Sequence, residues 1–199
     1  NIIKLDANET PYGSSPKVSQ ALAGYKNFNT YPDDGQTKLR ESLEGYTGVS
    51  VRHIVAGSGS NQLIDLVLRL FISQGDEVIN CVPTFGIYGF STALCGGTVV
   101  EVPRDENFAV DVAAVKAAIS NKTKMIFLAN PNNPTGTIIS PAEIREILDT
   151  GVPVLIDEAY HEFGGQTVAP LASQYPNLMV LRTFSKWAGL AGLRVGYGF

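Results

Sequence analysis

The chain has 199 residues, 44% of them hydrophobic and 17% charged. That is the composition of a soluble globular protein with one sizeable core, and it excludes a disordered or low-complexity polypeptide. The 15 basic and 19 acidic residues are mixed along the sequence and leave a formal net charge of -4, so no basic surface is offered to nucleic acid or to an anionic membrane. The longest apolar stretch, around residues 63–72, is interrupted by Asp65 and Arg69 and is too short to span a bilayer, and residues 1–10 lack a signal-peptide core. Cys81 and Cys95 lie in apolar contexts without metal-ligand spacing, which argues against a disulfide framework or a zinc site. A reducing cytoplasm and a small-molecule partner are expected, with no metal.

In chain order, residues 1–34 are rich in Pro, Gly, Asn and Tyr and read as an irregular arm and loop, while residues 35–199 read as one larger domain. Short Val- and Ile-rich runs then alternate with amphipathic stretches, the pattern of βαβ units around a buried, mainly parallel sheet. Strands are predicted over 77–81, 98–102, 124–129, 152–157 and 179–183. Helices are predicted over 16–22, 37–46, 61–72, 87–94, 112–119 and 142–148. The third of these puts Leu63, Ile64, Val67, Leu68 and Phe71 on one face, which is core periodicity. Ser140, Pro141 and Glu143 read as N-cap, first-turn proline and capping-box acid. There is no internal repeat. The sequence stops just after Gly196-Tyr197-Gly198, where an α/β sheet would normally continue, so a fragment is expected.

Most predicted strands end in a polar or glycine-rich turn, and these turns carry the chemistry. Gly57-Ser58-Gly59-Ser60-Asn61 precedes the strongest helix, whose N-terminal amides and dipole suit an anion; a glycine-rich cap is the plainer reading. A nicotinamide fingerprint fails there, because Gln62 takes the place of the final glycine. Phe85, after the second of these turns, suits one face of a flat ring, and Tyr88 reads as a wall of the same site. Asn130-Pro131-Asn132-Asn133-Pro134-Thr135-Gly136 places amides at the carboxyl end of a parallel strand, where ligands bind, although turn chemistry alone explains many such runs.

Asp157 ends a strand apolar enough to be buried on both faces and needs a partner there; a pyridine nitrogen would serve, with Tyr160 and Asn133 donating to a ring oxygen. Capping of the next turn is the plainer role for Asp157, and Glu158 and Glu162 read as surface or supporting groups. Finally, Thr183-Phe184-Ser185-Lys186 ends a strand eight positions before Arg194. A buried amine sheds its proton readily and can form a Schiff base with an aldehyde, while Thr183, Ser185 and Arg194 would hold a phosphate. That combination suits pyridoxal 5'-phosphate. His53 and His161 are isolated and belong to no triad or metal pattern.

These strand-end motifs, in this order, resemble the large domain of fold-type I pyridoxal-phosphate-dependent aminotransferases over essentially the whole chain. The segment Leu5-Asp6-Ala7-Asn8-Glu9-Thr10-Pro11-Tyr12-Gly13 and the run Tyr31-Pro32-Asp33 narrow the resemblance to the histidinol-phosphate aminotransferase family. The resemblance implies a three-layer α/β/α large domain that stops before a small C-terminal domain. It implies Lys186 as the catalytic residue, which holds the cofactor, is displaced by the amino substrate and then moves a proton. It places Asp157 on the pyridinium, Asn133 and Tyr160 on the phenolic oxygen and Phe85 on the ring. Ser58, Gly59, Ser60, Thr183, Ser185 and Arg194 fall on the phosphate, and Asn8, Tyr12 and Gly13 near the substrate. Tyr31 would reach the phosphate of a neighbouring subunit, which implies a homodimer. The implied reaction transfers an amino group from L-histidinol phosphate to 2-oxoglutarate. The same residues would also serve an aromatic aminotransferase, a threonine-phosphate decarboxylase or an inactive dimerising fragment.

Overall fold

The computed structural model describes residues 3–199; Asn1 and Ile2, at the start of the predicted arm, lie outside the described residues. Seven strands form one sheet: β1 (Val55–Ser58), β2 (Glu77–Val82), β3 (Thr98–Pro103), β4 (Thr123–Ala129), β5 (Val154–Asp157), β6 (Leu178–Thr183) and β7 (Val195–Gly198). Their spatial order is β1-β7-β6-β5-β4-β2-β3. β3, β2, β4, β5 and β6 run parallel, and β7 is antiparallel to both of its neighbours. The helices are α1 (Pro16–Gly24), α2 (Thr37–Thr47), α3 (Gly59–Phe71), α4 (Ile87–Leu94), α5 (Val112–Ala117), α6 (Pro141–Leu148) and the single turn α7 (His161–Gly164).

The period-2 alternation of the central strands feeds two separate cores. Met125, Phe127 and Ala129 of β4, Leu155 of β5 and Leu181 of β6 meet Leu63, Ile64 and Leu68 of α3 and Tyr88 of α4. Ile126 and Leu128, Val154 and Ile156, and Leu178 and Val180 point the other way, toward Val115 of α5 and Ile144, Ile147 and Leu148 of α6. The central strands are therefore apolar on both faces, which is what a parallel sheet between two helical layers requires. The same alternation sorts the polar residues at the strand ends. Asp157 and Thr183 share the face of Leu155 and Leu181, whereas Glu158 and Arg182 fall on the opposite face.

The sequence reading holds for the five parallel strands within one or two residues at each end. It misses β1 and β7, whose sequences Val-Ala-Gly-Ser and Val-Gly-Tyr-Gly each hold a single branched side chain and are interrupted by glycine, a weak strand former. The capping box at α6 forms as expected: Glu143 N–H donates to Ser140 Oγ at 3.2 Å and Ser140 N–H to Glu143 Oε2 at 2.8 Å. Phe71, assigned to the core face of α3, is instead exposed: it is the last residue of the helix, and the next residue, Ile72, is buried. α1 forms but buries none of its residues.

Candidate active site

The carboxyl ends of β4, β5 and β6 open into a cavity of about 380 Å³, the position where parallel sheets place their ligands. Asp157 lies in its wall and is 4% exposed. Its Oδ2 accepts the Tyr88 hydroxyl at 2.8 Å and its Oδ1 accepts the Ala159 N–H at 2.9 Å. Burial pushes the Asp157 carboxyl above the ordinary carboxylate range, and these two donors work against that rise. Phe85, edge-on to Tyr88 with ring centroids 5.7 Å apart, forms part of the same wall.

One part of the cavity gathers groups suited to an anion. Thr183 Oγ1 donates to Ser185 Oγ at 2.9 Å, and the Arg194 guanidinium reaches the same Ser185 oxygen at 3.4 Å. Ser60 and Asn61, in the first turn of α3, complete the lining, where helical amides lack carbonyl partners within the helix. Arg194 makes no ion pair among the described residues. Its backbone is held in the left-handed region at φ 55°, an uncommon setting for a residue with a side chain. Close approach explains two glycines here. A Cβ on Gly59 would collide with the Arg194 guanidinium, and one on Gly196 would collide with the Ser60 nitrogen, so β7 and the start of α3 lie backbone to backbone.

Lys186 lies in the cavity lining with the two regions, half-buried. Its Nζ donates to the Ala7 carbonyl at 2.6 Å and stands 5.8 Å from the centroid of the Tyr160 ring. Tyr160 Oη accepts the Asn8 side-chain amide at 2.9 Å. Ala7 and Glu9 line the cavity, so the N-terminal segment crosses its mouth. Asn132 is 3% exposed and fixes the loop after β4 to the loop after β2: its amide donates to the Pro83 carbonyl and Thr135 Oγ1, and its carbonyl accepts from Thr84. This leaves the neighbouring Asn133 in the cavity wall.

The sequence-predicted residues Ser60, Phe85, Asn133, Asp157, Tyr160, Thr183, Ser185, Lys186 and Arg194 thus meet in one cavity. Ser58 and Gly59 do not line it. The Ser58 N–H is taken up by Gln62 Oε1 at 2.6 Å and the Gly59 N–H by the Arg194 carbonyl at 2.8 Å, so at the start of α3 it is Ser60 and Asn61 that line the cavity. Tyr12 and Tyr31 are exposed, at 93% and 98%, and neither enters the cavity; Gly13 packs against Gly189 in the turn after Lys186. Of the two roles read for Glu158, surface or supporting group, the first is overturned, since it is fully buried and pairs with Arg182 at 2.9 Å on the opposite face of the sheet. Asn61, Asn132 and Glu9 were not singled out by sequence reasoning; only the helix phase at Asn61 and the doubled asparagine gave any signal. Among the described residues no group of three or more His, Cys, Asp and Glu could hold a metal ion, and no helix is long and apolar enough to cross a membrane.

This donor set fits the phosphorylated aldehyde that the sequence points to. An arginine without a carboxylate, three hydroxyls and a helix start suit a dianion, a buried carboxylate suits a protonated ring nitrogen, and an amine suits the aldehyde carbon. Fold and site together define an α/β scaffold for a planar, anionic ligand held by a lysine. The chain belongs to the class I and II aminotransferases, whose family model matches residues 1–199. It is 61% identical over 197 residues to a histidinol-phosphate aminotransferase of Dehalococcoides mccartyi, covering 99% of this chain and 55% of that protein. It is 49% identical to the one of Roseiflexus castenholzii, covering 98% of this chain and 54% of the relative. A crystal structure of histidinol-phosphate aminotransferase from Sinorhizobium meliloti in complex with pyridoxal-5'-phosphate superimposes with a TM-score of 0.87 at 29% identity, over 97% of this chain and 55% of that one. The chain spans about half the length of the curated relatives it matches.

Proposed function

We propose that the protein is a pyridoxal-phosphate-dependent aminotransferase that moves the amino group of L-histidinol phosphate to 2-oxoglutarate, giving imidazole-acetol phosphate and glutamate in histidine biosynthesis. The observation that carries the cofactor half is the placement of Lys186 in one cavity with Asp157 and with the Thr183, Ser185 and Arg194 cluster. The substrate half is supported by the 61% identity to a protein of that name.

When bound, the cofactor supplies a protonated ring that draws off the electrons of a carbanion formed next to the nitrogen. The chain's own residues do the rest. The Asp157 carboxylate holds the proton on the ring nitrogen. Asn133 and Tyr160 donate to the phenolic oxygen, and Phe85 covers a face of the ring. Ser60, Thr183, Ser185 and Arg194 hold the phosphate, with Asn61 beside them. Lys186 Nζ would hold the cofactor through its aldehyde and, when free, would serve as the base that moves a proton at the substrate carbon. Asn8, Tyr12 and Gly13 belong to the segment that closes over the substrate.

Residues 1–34 act as an arm and residues 35–199 as the large cofactor-binding domain. A homodimer is supported by the exposure of Phe28 and Tyr31, with Tyr31 reaching the phosphate of the neighbouring subunit. Two free thiols and the absence of a membrane-spanning helix among the described residues are compatible with a cytoplasmic enzyme.

The test is product analysis with the whole protein, L-histidinol phosphate and 2-oxoglutarate. Stoichiometric glutamate is expected. Release of carbon dioxide without glutamate would contradict the reading and point to a decarboxylase, and glutamate formed only from aromatic amino acids would move the substrate.

A further inference from the structure

Tyr88 is the buried polar group of the cavity that the proposed mechanism leaves without a task. It is 1% exposed, in α4, and its ring is fixed on two sides: stacked on Phe127 of β4 with centroids 5.0 Å apart and 12° between planes, and edge-on to Phe85. Its backbone carbonyl accepts the Thr92 hydroxyl one turn on, at 2.7 Å. The hydroxyl therefore has little freedom, and it donates to Asp157 Oδ2 at 2.8 Å across 69 residues of sequence. A core position needs no hydroxyl for packing, and a buried hydroxyl is costly unless it is paired.

We propose that Tyr88 is a positioning residue for the cofactor: its hydroxyl keeps the buried Asp157 carboxylate ionised and oriented while its ring sets the angle of Phe85, so that one side chain aligns both the acid and the aromatic wall. This rests on the assignment of pyridoxal phosphate to the cavity. With the Ala159 N–H on Oδ1 and Tyr88 on Oδ2, each carboxylate oxygen keeps a free lone pair for the ring nitrogen. Tyr88 stays protonated, because burial and the adjacent Asp157 charge hold its hydroxyl well above the ordinary range, so it remains a donor at every working pH. The other charged and titratable groups acting on this pair are Lys186 from the turn after β6, Glu158 just past β5, Tyr160 from the turn after β5, and Arg104 just past β3. Lys186 favours the ionised carboxylate and Glu158 opposes it. Tyr88 is the one neutral side-chain donor on Asp157 among the described residues.

The test is equilibrium binding of pyridoxal phosphate to the whole protein, followed by absorbance from pH 5 to 9, for wild type, Tyr88→Phe, Asp157→Asn and the double variant. Circular dichroism and thermal melting of each variant serve as folding controls. Without the hydroxyl, Asp157 holds its proton to higher pH. The acid limb of binding should then move upward by about one pH unit, with affinity on that limb about tenfold weaker and affinity at the alkaline end close to wild type. In the Asp157→Asn background, Tyr88→Phe should add no such shift. Superimposable wild-type and Tyr88→Phe profiles, or an equal shift in the Asp157→Asn background, would overturn the proposal, and so would a uniform loss of affinity at all pH values, which marks mere packing. Failure of the folded wild type to bind pyridoxal phosphate would overturn the cofactor reading itself, a separate outcome.

Discussion

Asp157 shows how a side chain proposed for function can work against the fold that holds it. Burial raises its pKa, so the native state binds this proton more tightly than the unfolded chain. Stability from this group is thus greatest below the unfolded pKa, about 3.9, and falls as pH rises through the native value. The cofactor-free Asp157→Asn variant should melt at a higher temperature than wild type at pH 8, with the gap closing as the pH is lowered toward 4. Calorimetry at the two pH values checks this. The same substitution should weaken pyridoxal phosphate binding by about 2–5 kcal/mol, since a buried charge partner is lost. Most such residues were legible because each follows an apolar run at the point where the polarity changes. Tyr88 was read only as a wall, since its contact with Asp157 depends on the phase of α4 against the parity of β5, which no local pattern reveals. Ser58 and Gly59 lie outside the cavity lining for a related reason: the glycine run reads as a free loop, yet Ser58 is the last residue of β1 and its N–H is already engaged.

At the level of elements, the ends of β5 and β6 are tied together on the face away from the cavity. Glu158 accepts from Arg182 Nε at 2.9 Å, from the Thr167 hydroxyl and from the Val168 N–H at 2.7 Å, while Arg182 also donates to Thr167 at 2.6 Å. Because Asp157 and Thr183 are the chain neighbours of this pair, the buried network fixes the strand ends that carry the site. Removing one partner leaves an uncompensated buried charge. Arg182→Met should cost about 3–5 kcal/mol of stability, a drop of roughly 10 °C in Tm for a chain of this length; a change under about 2 °C would show that the pair is dispensable. Gly196→Ala tests the other close contact. It should push β7 off the start of α3 and weaken binding of pyridoxal phosphate, and affinity equal to wild type would argue against the Ser60 and Asn61 amides as phosphate donors. The parallel strands were legible from their branched residues, and the α6 cap from its spacing. β1 and β7 were not, since close packing against α3 selects small residues at the cost of strand propensity.

At the scale of the whole molecule, the arm is the part that this single chain leaves most exposed. α1 buries no residue, and Ile3, Leu5, Tyr12, Phe28 and Tyr31 expose most of their surface. Large apolar groups in such number call for a covering surface, and the proposed homodimer, with Tyr31 reaching its neighbour, would supply one. Mixing inactive Lys186→Ala and Tyr31→Ala dimers of the whole protein under exchange should restore roughly a quarter of wild-type activity, because half of the dimers are hybrids with one intact site. No recovery would place Tyr31 in its own subunit's site or outside catalysis. The central claim, that Lys186 anchors pyridoxal phosphate, is tested most directly by borohydride reduction of the protein with added cofactor, followed by intact mass and peptide mapping. The account predicts one covalent cofactor per chain, on the peptide containing Lys186, and none in Lys186→Ala. A folded wild-type protein with no adduct, or an equal adduct on another lysine in both proteins, would contradict it.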